Sequence, residues 1–154
     1  ETMTIAANEI RNIDAYLQIQ LIMHDNSFQV IKEIQEDALS YSVPKLILQP
    51  LVENAIEHGI NYQEEIDGKG RLIVRLEDED SHLIFSILNN GPRVELERLE
   101  EILNTPGKGY GIYNIEERIR IYYGAGCGVY ASVTEDGYTN FTVKILKELK
   151  ELSV

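Results

Sequence analysis

Apolar residues recur at helical or strand spacing along most of the chain, and this pattern predicts a mixed order of helices and strands. Ile10, Ile13 and Leu17 lie three and four positions apart, so residues 4–23 are predicted to form a helix. The same spacing predicts helices over 44–58, 96–103 and 112–123. Runs of alternating or continuous apolar residues predict strands over 28–34, 72–76, 83–88, 129–134 and 138–146.

Neighbouring strands determine the predicted fold class. The acidic turn 78–81 joins one strand pair, and a turn at Asp136 and Gly137 joins another. Adjacent hairpins, rather than strict alternation of strand and helix, favour a two-layer α+β sandwich. We therefore predict a mixed, largely antiparallel sheet of about five strands with helices on one face. With 154 residues and 44% hydrophobic content, the chain is long enough for one domain with a sizeable core.

The predicted helix over 44–58 carries polar residues at the edge of an apolar face. Asn54 and His58 lie four positions apart at the boundary of that face, while Glu53 points further toward solvent. Pro50 is predicted to kink the helix, because it removes a backbone hydrogen bond from the interior, and Gly59 is predicted to end it. Two interpretations remain open. The polar residues could form a site at the edge of the core, or the helix could be an ordinary amphipathic helix whose Asn and His are hydrogen-bonded within the protein.

The charge balance narrows the classes of ligand. The chain has 26 acidic and 14 basic residues and a net charge of −12, which argues against nucleic-acid binding. An anionic ligand would need a metal ion and local backbone donors to overcome this field. Cys127 is the single cysteine, so no internal disulfide can form and a reducing compartment is expected. The chain begins with Glu1 rather than Met and contains no long apolar run, so we expect a fragment without a membrane span.

Two loops could contribute further polar groups. Residues 89–92 read Asn-Asn-Gly-Pro and make a tight turn after an apolar strand. Residues 107–111 read Gly-Lys-Gly-Tyr-Gly and precede a predicted helix, where glycines and the helix N-terminus could bind phosphate. The spacing matches neither the P-loop nor the dinucleotide-binding fingerprint. A flexible loop is the alternative for this second segment.

Taken together, the motifs resemble a known family. Segments 48–59, 89–92, 109–119, 122–124 and 137–139 follow one another as in the ATP-binding catalytic domain of sensor histidine kinases, most closely the LytS/YesM-like branch of the GHKL superfamily. The resemblance covers nearly the whole chain and implies the Bergerat ATP-binding fold. It also implies that residues 1–25 are the end of a connecting or dimerisation helix and that 26–154 are the catalytic domain.

The resemblance assigns roles to individual positions. Asn54 matches the asparagine that holds Mg²⁺ on the ATP phosphates, and Glu53 matches a carboxylate that orders a metal-bound water. His58 matches a position near the phosphates and Thr139 one near the adenine, while residues 92–108 resemble a lid over the nucleotide. The complete set of positions implied to bind ATP is Asn54, His58, Asn89, Gly91, Gly109, Tyr110, Gly111, Ile112, Asn114 and Thr139.

Two positions depart from the family pattern. Asn89 replaces the aspartate that accepts a hydrogen bond from the adenine amino group, and Arg93 replaces the second glycine of the same motif. The Asn89 carbonyl can still accept this bond, but the loss of charge assistance weakens it by about 1 kcal/mol. We therefore expect ATP binding with Mg²⁺ dependence and reduced affinity.

The implied activity is transfer of the ATP γ-phosphoryl group to a histidine upstream of this chain, for relay to a response regulator. His24, His58 and His82 lie in no segment that resembles a phosphoacceptor motif, so the fragment alone is not expected to phosphorylate itself. The resemblance further implies a homodimer through the upstream domain and a cytoplasmic location within a membrane-anchored bacterial sensor.

Two alternatives to a histidine kinase share the fold. One is a signalling module that has lost the nucleotide, which the departures at Asn89 and Arg93 would favour. The other is an ATPase or an anti-sigma-factor-type serine kinase. Those families carry a glutamate four residues before the metal-binding asparagine, whereas this chain has Pro50, which cannot act as a base.

Overall fold

The computed structural model describes residues 2–65, 68–107 and 111–148. Its helices are α1 (Ala6–Met23), α2 (Gln49–His58), α3 (Leu96–Asn104) and α4 (Ile112–Tyr123). Its strands are β1 (Met3–Ile5), β2 (Phe28–Ile34), β3 (Ser42–Pro44), β4 (Gly70–Asp78), β5 (His82–Asn89), β6 (Gly128–Val133) and β7 (Thr139–Leu146). Short 3₁₀-helical segments cover Glu36–Ala38 and Ile60–Glu65.

The main sheet has five strands in the order β2-β4-β5-β7-β6. β2 and β4 run parallel, and the other neighbouring pairs are antiparallel. A separate two-stranded sheet pairs β1 with β3. The structure thus confirms the predicted mixed, largely antiparallel sheet of an α+β sandwich.

One face of the main sheet carries the core. Leu72, Val74 and Leu76 alternate along β4 and are fully buried, whereas the intervening residues of that strand are only partly buried. The helices cover this face with their own apolar residues, such as Leu17 of α1 and Ile119 of α4, in one continuous cluster. Burying each large side chain contributes about 1.5–3 kcal/mol, so this cluster holds helices and sheet together.

The predicted start of α2 was wrong. The helix begins at Gln49 rather than at residue 44, because Ser42–Pro44 form β3 and Leu46 has a positive φ of 60° that interrupts any helix. Pro50 consequently lies in the first turn of α2, where its missing N–H removes no helical hydrogen bond. The predicted kink therefore has no cause, while Gly59 ends the helix as predicted.

The N-terminal helix is part of the same core. Its predicted first residues form β1 instead, and α1 then packs through Ile10, Ile13 and Leu17. Its role as the end of a dimerisation helix stays a prediction. Within the described residues, no helix is both long and apolar enough to cross a membrane.

Candidate functional site

A cavity of about 320 Å³ lies between α2, the ends of β5 and β7, and the segment that leads through α3. Its volume is at the lower end of the range for small-molecule sites, about 300–1,000 Å³. The described residues that line it are Asn54, His58, Tyr62, Asn89, Pro92, Arg93, Val94, Glu95, Arg98, Leu99, Ile102, Thr139 and Phe141. The structure therefore brings Asn54 and His58 together with Asn89 and Thr139, which lie far from them in the sequence.

Asn54 contributes a polar group to an otherwise apolar face of α2. It is 3% exposed and lies among the buried residues Leu51, Val52, Ala55 and Ile56. Its Nδ2 is buried and has no hydrogen-bond partner in the part of the chain that the structure describes. A buried donor without a partner costs about 1–3 kcal/mol, which a ligand with an acceptor could recover.

Asn89 and Thr139 are neighbours across β5 and β7, where they form a register pair. Thr139 is 2% exposed, and its Oγ1 is buried without a partner among the described residues. The Asn89 Oδ1 accepts a hydrogen bond of 3.0 Å from the Gly91 backbone N–H. Because a carbonyl oxygen has two lone pairs, Oδ1 retains capacity for one further donor. These two side chains thus form a polar end of the cavity.

Two glycines allow the end of α2 to meet the turn after β5. A Cβ atom at Gly91 would lie 2.4 Å from the Gly59 Cα, and one at Gly59 would lie 2.2 Å from the Asn89 Oδ1. Both contacts are shorter than carbon and oxygen atoms tolerate, so side chains are excluded at both positions. The predicted site glycine Gly91 therefore has a packing function: it holds the Asn54 helix against the Asn89 turn.

His58, Tyr62 and residues of the implied lid complete the lining of the cavity. His58 is half-buried, and Tyr62, 48% exposed, follows it in the 3₁₀ segment. Tyr62 was not predicted as a site residue, although an aromatic residue one turn beyond His58 is the signal that could have indicated it. Seven residues between 92 and 102 also line the cavity, within the segment 92–108 that the resemblance implied as a lid.

Other predicted site residues lie elsewhere or outside the described region. Glu53 does not line the cavity, and its Oε1 accepts a 3.0 Å hydrogen bond from the Gln49 side chain. Ile112 is fully buried in the core, and Asn114 is exposed on the first turn of α4; neither lines the cavity. Gly111 precedes α4 with a φ of 80°, in open space. Gly109 and Tyr110 lie outside the described residues.

The charges around the cavity differ from those of the whole chain. Among the described residues, its walls contain Arg93, Arg98 and one carboxylate, Glu95, in a chain of net charge −12. Arg98 also pairs with Glu101 at 3.5 Å. The described residues contain no group of three or more His, Cys, Asp or Glu that could hold a metal ion by themselves. A cation here would need oxygen ligands from a bound anion.

Comparison with known proteins identifies the family. Residues 42–149 match the model of the histidine kinase-, DNA gyrase B- and HSP90-like ATPases. The chain belongs to this family. Membership implies that the domain binds ATP, in agreement with partnerless polar atoms at a cavity of suitable size.

Relatives in sequence include sensor proteins. The chain is 29% identical over 139 residues to the sensor histidine kinase BtsS of Escherichia coli K12. This match covers 90% of this chain and 23% of BtsS. It is 26% identical over 148 residues to the sensor protein LytS of Bacillus anthracis, covering 93% of this chain and 25% of LytS. The chain therefore spans about a quarter of the length of these curated relatives.

Solved structures share the fold. The catalytic domain of histidine kinase ThkA matches with a TM-score of 0.72 and 21% identity, covering 96% of this chain and 95% of that domain. Histidine kinase ThkA in complex with the response regulator protein TrrA matches with a TM-score of 0.65 and 20% identity, covering 95% of this chain and 41% of the ThkA chain. The domain thus has the fold of a histidine kinase catalytic domain.

Proposed function

We propose that this domain binds Mg-ATP in the Asn54–Thr139 cavity and presents the γ-phosphoryl group to a histidine in another part of the same protein. The observation that carries the proposal is a pair of buried polar atoms, Asn54 Nδ2 and Thr139 Oγ1, that lack partners among the described residues and belong to residues lining one cavity. A protein retains such atoms at a cost in stability when a ligand uses them.

The adenine is assigned to the β5–β7 end of the cavity. Asn89 can accept a hydrogen bond from the exocyclic amino group, and the Thr139 hydroxyl can bond a ring nitrogen or a bridging water. Apolar atoms of Leu99, Ile102 and Phe141 lie in the same wall and can contact the faces of the base. This arrangement favours a flat heterocycle that carries both a hydrogen-bond donor and a hydrogen-bond acceptor on its edge.

The phosphates are assigned to the Asn54 side. Mg²⁺ takes oxygen ligands, so Asn54 would hold it through Oδ1, and Nδ2 would remain available to a phosphate oxygen. When bound, Mg²⁺ neutralises part of the phosphate charge and so lowers the barrier to phosphoryl transfer. Arg93 and Arg98 place positive charge at the same cavity, and His58 adds a ring nitrogen at its wall. Glu53 stays a proposed contributor through a metal-bound water. Gly111 and Asn114 stay proposed contributors at the start of α4.

The acceptor histidine is assigned to a segment outside this chain. His24 has both ring nitrogens engaged: Nδ1 lies 2.8 Å from the Gln20 carbonyl and Nε2 lies 2.7 Å from the Asn61 Oδ1. The His82 Nδ1 lies 2.7 Å from the Ser81 hydroxyl. Neither ring lines the cavity, so neither is placed to attack a phosphate bound there. His58 does line the cavity, but it lies in no segment that resembles a phosphoacceptor motif, and we assign it to phosphate binding.

The wider setting follows from the relatives. We propose that the parent protein is a homodimeric sensor whose upstream domain carries the acceptor histidine, and that a response regulator receives the phosphoryl group. The complex of ThkA with TrrA supports the second partner. We further propose that this domain lies on the cytoplasmic side of a membrane-anchored protein.

Calorimetric titration with ATP tests the proposal. The wild-type chain should bind ATP with Mg²⁺ at a dissociation constant between about 1 μM and 1 mM and bind more weakly in EDTA. Asn54→Ala should remove most of the Mg²⁺ dependence while the protein stays folded, since the substitution deletes a polar atom that the apo protein leaves unpaired. Absence of nucleotide binding by the wild type would favour the signalling module that has lost the nucleotide.

A further inference from the structure

A buried carboxylate from α1 lies at the start of α2. Glu9 is 2% exposed, and its two oxygens accept backbone N–H bonds from three consecutive residues. The distances are 3.1 Å from Leu46, 2.9 Å from Ile47 and 3.4 Å from Leu48. A carboxylate with several backbone donors is a strong, charge-assisted anchor. The residues it holds directly precede the helix that carries Asn54.

The segment before α2 has no cap of its own that could replace Glu9. Leu48, at the N-cap position, offers no side-chain hydrogen bond, and Pro50 has no N–H. Leu46 adopts a φ of 60°, which is strained for a leucine, and its N–H bonds Glu9 from this conformation. The start of α2 is therefore fixed by a residue of α1, 37 to 39 positions away.

The far ends of α1 and α2 are also connected. The His24 Nε2 lies 2.7 Å from the Asn61 Oδ1, and the Asn61 Nδ2 donates to Glu57 of α2 at 3.2 Å. Asn61 is next to Tyr62, which lines the cavity. The two helices are thus joined at both ends, with Asn54 between the two connections, so that a displacement of α1 would carry α2 with it.

We propose that Glu9 is a positioning residue for Asn54: by holding residues 46–48 it sets the placement of α2 and couples α1 to the metal side of the nucleotide cavity. The coupling to nucleotide rests on the proposed function, whereas the placement of α2 does not. Glu9 touches neither the cavity nor the proposed reacting atoms, and it acts through the backbone of α2.

Glu116 provides a matched control, because it is the other buried carboxylate of the described residues. It is 7% exposed, accepts the Val129 backbone N–H and pairs with Arg120. These contacts fasten α4 to β6 and do not involve α2. Glu9→Gln and Glu116→Gln each keep the side-chain size and replace one acceptor oxygen with a donor that faces donors. Both should lower stability, but only Glu9→Gln should move α2.

The experiment compares both variants with the wild type by two measurements. Residual dipolar couplings of the α2 amides, referenced to those of β5, report the orientation of the helix without nucleotide. Titrations with Mg-ATP and with adenosine then separate the metal side from the adenine side. For Glu9→Gln we expect changed α2 couplings, an increase of about tenfold in the Kd for Mg-ATP and an unchanged Kd for adenosine. Glu116→Gln should leave all three unchanged.

Unchanged α2 couplings in a folded Glu9→Gln protein would overturn the proposal, as would equal changes in both variants. If Glu9→Gln does not fold, the comparison is made in a Leu46→Gly background, which relieves the strained φ at an exposed position and so adds stability. If the wild type binds no Mg-ATP, the proposed function fails, and the couplings alone decide the role of Glu9.

Discussion

At the scale of the residue, a substitution at Thr139 should have opposite effects on the stability of the apo protein and on its affinity for ATP. Its buried hydroxyl has no partner among the described residues, so Thr139→Val removes a destabilising group at nearly constant volume. We expect the apo protein to gain about 1 kcal/mol in unfolding free energy and to bind ATP more weakly, because the desolvated hydroxyl no longer meets the nucleotide. Chemical denaturation and calorimetry measure the two effects separately.

Thr142, on the opposite face of the same strand, is the control for this prediction. Its hydroxyl donates to the Asn140 Oδ1 at 3.3 Å and lies 3.4 Å from the Ser86 hydroxyl. Thr142→Val should therefore lose stability and leave ATP affinity unchanged. An unchanged affinity in Thr139→Val would remove Thr139 from the site.

Asn89 is one of the two positions that depart from the pattern implied by the resemblance, and Asn89→Asp introduces the carboxylate that this pattern expects. The Gly91 N–H already bonds this side chain at 3.0 Å and would continue to do so. We expect ATP affinity to rise about fivefold through a charge-assisted bond to the adenine amino group, while the apo protein loses stability by burying an unpaired charge. Titration calorimetry and thermal unfolding would measure these opposite changes.

The neighbouring Asn90 supplies the control for Asn89→Asp. Its side chain accepts from the Arg71 N–H at 2.6 Å and donates to the Lys69 carbonyl at 2.9 Å, so it joins the ends of β4 and β5. Asn90→Asp loses the second bond and should not alter ATP affinity. Equal affinities of Asn89→Asp and the wild type would mean that residue 89 does not contact the adenine.

At the scale of the element, the cavity depends on the contact between α2 and the turn after β5. Gly91→Ala places a Cβ 2.4 Å from the Gly59 Cα and must push these backbones apart. We expect a loss of about 1–3 kcal/mol in unfolding free energy together with weaker ATP binding, because Asn54 and Asn89 separate. Denaturation and calorimetry on the same samples would measure both.

Gly126→Ala is the matched substitution for this element-scale prediction. Gly126 has a φ of 90° and open space around its Cα, so the added methyl group introduces backbone strain without a clash. The expected cost is about 1 kcal/mol, with no separation of α2 from β5. Similar losses of affinity in both glycine variants would contradict the packing role of Gly91.

Elements differ in how well the sequence predicted them, and the differences have physical causes. α4 was predicted at its observed bounds because its twelve residues repeat the apolar spacing several times and Gly124 directly follows its last residue. β1 and β3 were missed, since strands of three residues form only by pairing across a long separation. The start of α2 was placed too early because Ile47 and Leu48 are buried in the turn before the helix, at a spacing from Leu51 that also fits a helix.

The residues in and around the site also differ in how well the sequence predicted them. Asn54, Asn89 and Thr139 were indicated by the order of their motifs, and the sheet register then places the last two side by side. Glu9 could not be found this way, because its three bonds depend on how α1 packs beside residues 46–48. A lone acidic residue on a helix otherwise predicts only a solvated face.

At the scale of the whole molecule, the net charge of −12 opposes the binding of ATP. Arg93 and Arg98 offset this field only locally, so Mg²⁺ should be required to reduce the charge of the phosphates. We predict that ATP affinity in EDTA is weak at low ionic strength and improves as salt is added, since screening shortens the Debye length from about 30 Å at 0.01 M to about 10 Å at 0.1 M.

Adenosine carries no phosphate and is the control for this electrostatic effect. Its affinity should be the same with or without Mg²⁺ and at either ionic strength, because it meets only the Asn89–Thr139 end. Arg93→Gln should weaken Mg-ATP binding most at low salt, where the attraction between Arg93 and the phosphates is least screened, and should leave adenosine binding unaffected. An affinity for metal-free ATP that falls as salt is added would show instead that the local arginines, and not the net charge of the molecule, determine the electrostatics of the cavity.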